Sequence, residues 1–190
     1  RDLLSDLGLL LVDDFVSEEE ERQLVDYWAP GSLVHAFGTD ELISGRRWFN
    51  YGPILPRTTT GTTKSTLTVI PAQLGQMPPV VSRQRLQERI REHADRLVGG
   101  ARRLGHAARP HEFDQMYVNY YDCASKANID FHHDNHTCMG GTVAGVSLLS
   151  DADLQLRALD AGLLRPPVRV RLPRRSLFLM TGLSRWHLQH

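Results

Sequence analysis

Three residues set the strongest demand on how this chain folds. His132 and Asp134 stand two positions apart in IDFHHD (129–134), and the sequence closes on SRWHLQH, whose last residue is His190. Residues two apart on an extended segment point the same way, so His132 and Asp134 can face one ion while His133 faces the opposite side. A His-x-Asp pair plus one distant His is the spacing of a two-His-one-carboxylate facial triad, which leaves three positions on a ferrous ion open for a co-substrate and dioxygen. For that site to form, residue 190 has to return to residue 132. Taken alone, FHHDNH in a chain with nine histidines is equally a polar, solvated loop.

The surrounding pattern favours strands that can make such a return. In DQMYVNYYD (114–122), Met116, Val118 and Tyr120 alternate with Tyr117, Asn119 and Tyr121, which predicts a strand with two chemically different faces. On it, Asn119 and Tyr121 project together and can donate hydrogen bonds to a carboxylate, or can simply find local partners. GTVAGVSLLS (141–150) suits an interior strand, and PVRVRLPRRSLFLMTG (167–182) reads as two strands around a turn near Pro173.

The first half of the chain is more helical. GLLLVDDFV (8–16) predicts a strand, and Ser17-Glu18-Glu19-Glu20 is a capping box that opens a helix through about Trp28. Acids in a first turn suit the helix dipole, so Glu18, Glu19 and Glu20 need no catalytic role. A second helix is predicted over 82–98, with Leu86, Ile90, Ala94 and Leu97 on one face and Gly99-Gly100 as the stop. His93 lies near that face as a packed core histidine. Strands that follow helices imply an α+β fold, a barrel or sandwich with helices on one side.

Composition sets outer bounds. With 190 residues, 41% apolar content and no long low-complexity stretch, one domain with its own core is expected. No apolar run approaches a membrane span and the start lacks a signal peptide's order, so the expectation is an intracellular protein of nucleus or cytoplasm with no membrane partner. Cys123 and Cys138 are too few to suggest a disulfide scaffold. Net charge is zero but unevenly spread: residues 1–30 carry nine acids against two bases, and 83–109 carry eight Arg against three acids. Such an Arg-rich segment attracts phosphates or forms a solvated helix face.

The ordered blocks SGRRWFNYGP (44–53), Asn119 with Tyr121, IDFHHD, SLLS (147–150), LPRRSLFLMTG (172–182) and SRWHLQH resemble the AlkB family of Fe(II)- and 2-oxoglutarate-dependent dioxygenases. The blocks run through most of the chain, and their combination looks most like the fourth AlkB homologue branch of animals. A second branch, the tRNA wobble-uridine hydroxylases, shares the Arg-Arg and Met-Thr-Gly blocks. The resemblance implies a double-stranded β-helix (jelly-roll) core with supporting N-terminal helices. It makes His132, Asp134 and His190 the catalytic iron ligands, sets Asn119 and Tyr121 against 2-oxoglutarate, and brings Arg47 and Tyr51 near the substrate. It also makes the Thr-rich stretch 57–66 a lid. The family carries further Arg past the last His to grip the far carboxylate of 2-oxoglutarate, whereas this sequence stops at His190. The reading is therefore a single AlkB-like domain over 1–190, truncated at its C-terminal end.

The chemistry so implied is oxidative demethylation, in which an N-methyl group is hydroxylated and leaves as formaldehyde while 2-oxoglutarate becomes succinate and CO2. Substrates would be N-methylated DNA or RNA, such as N6-methyladenine in DNA, or methyl-lysine in protein. A flipped base would stack on the aromatic surface of Trp48, Phe49 and Tyr51. Two other readings stand beside it: a non-catalytic AlkB-like scaffold for a protein or nucleic-acid partner, and a zinc site in the His132, His133, Asp134, His136 cluster, which lacks the spacings of structural zinc motifs.

Overall fold

The apolar run Leu177–Met180 has no polar face to turn toward water. In the computed structural model it is strand β7, the middle strand of an antiparallel sheet with both faces covered. The structure describes residues 3–29, 46–52, 76–102, 113–121, 124, 127–134, 139–158 and 166–190. The other elements among them are α1 (Leu3–Asp6), β1 (Leu9–Val12), α2 (Glu18–Trp28), β2 (Arg46–Tyr51), α3 (Pro79–Arg83), α4 (Leu86–Arg102), β3 (Met116–Tyr121), β4 (Val143–Val146), β5 (Ala152–Ala158), β6 (Val168–Leu172), α5 (Gly182–Trp186) and β8 (Leu188–Gln189).

Two three-stranded antiparallel sheets carry the core, with strand orders β1-β7-β4 and β6-β5-β8. The chain passes from one to the other repeatedly: β4 lies in the first, β5 and β6 in the second, β7 in the first and β8 in the second. Strand period then divides the side chains. Leu177 and Leu179 join a cluster with Phe15 and Val16 of the turn before α2 and with Leu24, Trp28, Val81, Leu86 and Ala94 on the helices. Met180, with Leu9 on β1, turns the other way onto Leu156, Val170, Leu172 and Leu188 of the second sheet. Helices, first sheet and second sheet are thus three layers, and β7 lies in the middle one.

The layers are tied by polar groups at their ends. Ser17 caps α2 as predicted: its hydroxyl accepts from Glu20 N–H at 3.2 Å, and Glu20 returns the bond to Ser17 N–H at 2.8 Å. One turn on, Glu21 is 2% exposed and accepts from Arg174, in the turn between β6 and β7, at 2.6 Å and from Leu149 N–H at 2.7 Å. At the other end, α5 is pinned to the turn between α1 and β1. Ser184 N–H donates to Leu7 O at 2.8 Å, Thr181 N–H donates to Gly8 O at 2.9 Å, and the Ser184 hydroxyl reaches both Gly8 O and Thr181 O. Gly8 has φ +78°, and a Cβ there would lie 2.2 Å from Thr181 O, so this contact needs glycine.

Several expectations change. The first strand ends at Val12 rather than 16, because Asp14 takes a left-handed φ of 49° in the turn into α2. The single helix expected over 82–98 is two, broken at Gln84–Arg85, where Arg85 has φ 53°, and α4 runs through Gly99-Gly100 to Arg102. Glycine accepts helical dihedrals as readily as the left-handed ones of a stop. His93 packs as expected, edge-on to Phe15 at 5.8 Å between ring centres, with burial the main influence lowering its pKa. Within the Arg-rich run, Arg85 pairs with Glu88 and Arg96 with Glu92 at 4.0 Å as on a solvated helix face, whereas the partly buried Arg89 reaches Glu20 of α2 at 2.7 Å and stacks on Phe15. The 57–66 lid, Cys123, Cys138 and His136 lie outside the described residues, as does part of the Arg-rich run.

Candidate metal centre

The return demanded by the sequence is made by backbone. His132 N–H donates to His190 O at 3.0 Å and His190 N–H donates to His132 O at 3.1 Å. Two residues that exchange both bonds stand directly opposite each other with side chains on one side, as in an antiparallel ladder. Their imidazole rings accordingly lie 4.5 Å apart, centre to centre. This pair extends the second sheet past β8, although residues 127–134 form no regular strand of their own, contrary to the expected metal strand.

Asp134 completes the group. Its two carboxylate oxygens lie 3.8 Å from His132 Nε2 and 3.7 Å from His190 Nε2, and one ligand atom from each residue falls within 4.8 Å of the others. Those separations are too long for hydrogen bonds and suit three donors converging on one point between them. His132 Nδ1 lies 2.9 Å from Asp130 O; donating there, it fixes the tautomer that leaves Nε2 free to bind a metal. His190 Nδ1 is buried with no hydrogen-bond partner among the described residues, so this ring is held by its backbone pair and by packing. Burial is the main influence on the His190 pKa and lowers it. Asp134 opposes this, but His132, His133 and Arg185 add to the lowering, which keeps the imidazole in its neutral, metal-binding form.

A second clamp lies on the residues that flank His132 and His190. Arg157 on β5 donates to Gln189 Oε1 at 2.8 Å and stacks its guanidinium 4.0 Å from the centre of the Phe131 ring. It thereby grips the neighbours of His190 and His132 together.

The family model described as the 2OG-Fe(II) oxygenase superfamily matches residues 8–190. The chain belongs to that superfamily. This 2OG-Fe(II) oxygenase is a 2-oxoglutarate-dependent dioxygenase, and its cofactors are Fe(II) and 2-oxoglutarate. Among solved structures it is similar to the plant AlkB homologue OsALKBH1, with a TM-score of 0.62 and 14% identity over 96% of this chain and 83% of that one, a likeness of fold. No curated protein matches the sequence. The donor set fits the family's metal: two imidazoles and one carboxylate, a borderline set suited to ferrous iron.

The remaining residues singled out in the sequence divide. Asn119 and Tyr121 lie on one face of β3, opposite Trp48 and Arg46 of β2 in a separate two-stranded sheet, with Tyr121 43% exposed. Met116 and Val118 pack against the helical core. Arg47 lies on β2 opposite Tyr120, and its side chain is outside the described part of the structure. Tyr51 is a core residue. It is 1% exposed within the helical core, accepts a 2.8 Å bond from Trp28 Nε1, and burial pushes its hydroxyl pKa up to about 12. Phe49, 3% exposed in the same cluster, is corrected with it, so neither offers a stacking surface.

Proposed function

We propose that His132, Asp134 and His190 hold the Fe(II) of this oxygenase and that it is an AlkB-type oxidative demethylase built on a double-stranded β-helix. The observation that carries the reading is the convergence of three donors within 4.8 Å from two distant parts of the sequence, joined by the reciprocal backbone pair. The alternation of strands between two sheets supports the jelly roll. The order of the motif blocks, from the Arg-Arg strand to His190, supports the AlkB assignment over a single domain.

Bound together, Fe(II) and 2-oxoglutarate supply oxidation of a C–H bond by dioxygen, with the co-substrate leaving as succinate and CO2. The chain's own part is positional. The imidazoles of His132 and His190 would donate lone pairs to the metal, the Asp134 carboxylate would balance its charge, and the hydrogen bond to Asp130 O keeps His132 in the binding tautomer. Asn119 and Tyr121 are the residues assigned to 2-oxoglutarate. The substrate is an N-methyl group on nucleic acid, with N6-methyladenine in DNA foremost and methyl-lysine in protein as the competing class.

Purified protein incubated with Fe(II), 2-oxoglutarate and oxygen should form succinate, and with methylated DNA it should release formaldehyde. His132→Ala, Asp134→Ala and His190→Ala should each abolish both. Formaldehyde from a methyl-lysine peptide alone would move the assignment to protein, and unchanged succinate formation by His190→Ala would sink the metal assignment.

A further inference from the structure

Arg185 is a charged side chain only 2% exposed, and removing a guanidinium from water costs several kcal/mol unless its donors are satisfied. Its Nε donates to Gly140 O at 3.0 Å, its Nη1 to Asp134 O at 3.3 Å and its Nη2 to Met139 O at 3.4 Å. Three nitrogens of one planar fork therefore engage three backbone carbonyls, one of them belonging to Asp134 itself. The other two lie just beyond residues 135–138, so the fork holds the chain on both sides of that link.

The base from which this fork reaches is itself fixed. Arg185 belongs to α5, which Ser184 locks onto the turn between α1 and β1. From α5 the chain runs through β8, two residues, to His190. One side chain thus bridges the limb that ends in His190 and the limb that carries Asp134.

We propose that Arg185 is a positioning residue of the metal centre, setting the Asp134 carboxylate against the two imidazoles by holding the backbone behind it. The proposal rests on His132, Asp134 and His190 being the ligands. Geometry distinguishes Arg from Lys here, because an ammonium carries the same charge on a single nitrogen and cannot span the three carbonyls.

The test is Co(II) binding to the purified protein without substrate or oxygen, read as a dissociation constant and as the visible absorption bands that report coordination geometry. Wild type, Arg185→Lys and Arg185→Gln are compared, with circular dichroism as the check on folding. A lost partner of a ligand typically weakens metal affinity about 10–100-fold. Folded Arg185→Lys should fall in that range with altered bands, and Arg185→Gln should bind no better. If the Gln variant does not fold, the Lys variant decides alone. Unchanged affinity and bands in a folded variant would overturn the proposal, and loss of fold in both would replace it with a purely structural anchor. Failure of the wild type to bind Co(II), or unchanged binding by His190→Ala, would bring down the ligand assignment itself and the proposal with it.

Discussion

Glu21 shows how a single side chain joins the layers. Its burial raises the carboxyl pKa, but hydrogen bonds from Arg174 and Leu149 N–H, with the charges of Arg174 and Arg175, outweigh that and bring it below the ordinary 4.5. A carboxyl lowered on folding stabilises the protein above its unfolded pKa, and that contribution is lost as the pH falls through the folded value. Glu21→Gln, which leaves charged and backbone donors facing a weaker acceptor, is expected to cost about 1–3 kcal/mol near neutral pH by urea unfolding. The gap between variant and wild type should close as the pH is taken well below 4.5. At this scale the sequence was informative where chemistry resides in the side chain, as for His132, Asp134 and His190. Arg185 left no comparable trace, since its partners are backbone carbonyls that any residue supplies. Tyr51 and Phe49 were misplaced for a related reason: alternation shows that two residues share a face, not which face meets the core.

The alternating strands β3 and β6 and the apolar run of β7 were legible, and the capping box located the start of α2 to the residue. β5 was missed although Leu154 and Leu156 keep a two-residue period, because Ala152, Asp153 and Ala158 are weak strand formers and the segment holds no β-branched or aromatic residue. Pairing partners were not legible at all. One such partnership makes a test of the middle layer, where Gly145 of β4 lies opposite Phe178 of β7. A Cβ at 145 would come 2.1 Å from the Phe178 ring, in a place where the ring has a packed sheet behind it. Gly145→Ala should therefore destabilise the fold by about 1–3 kcal/mol through overpacking. Combining it with Phe178→Leu should recover part of the loss, measured in the same denaturant titration.

For the molecule as a whole, the proposed metal ligands come from two separated limbs, so occupancy should be coupled to global stability. Manganese with 2-oxoglutarate, at about a hundredfold excess over their dissociation constants, should add about 2.7 kcal/mol. For a chain of this size that corresponds to a rise in Tm of roughly 5–10 °C by calorimetry. His190→Ala should show no rise. The first sheet also sets a condition on how the protein is made. β1, near one end, has β7 as its hydrogen-bonded partner, Leu9 meeting Met180. That edge of β1 stays unpaired during synthesis until β7, far along the sequence, has been made. Pairings that span so much sequence close slowly and leave apolar strands open to other chains meanwhile. The nascent protein is thus exposed to aggregation in the interval between the synthesis of β1 and that of β7, which makes it a natural client for chaperones that shield unpaired strands.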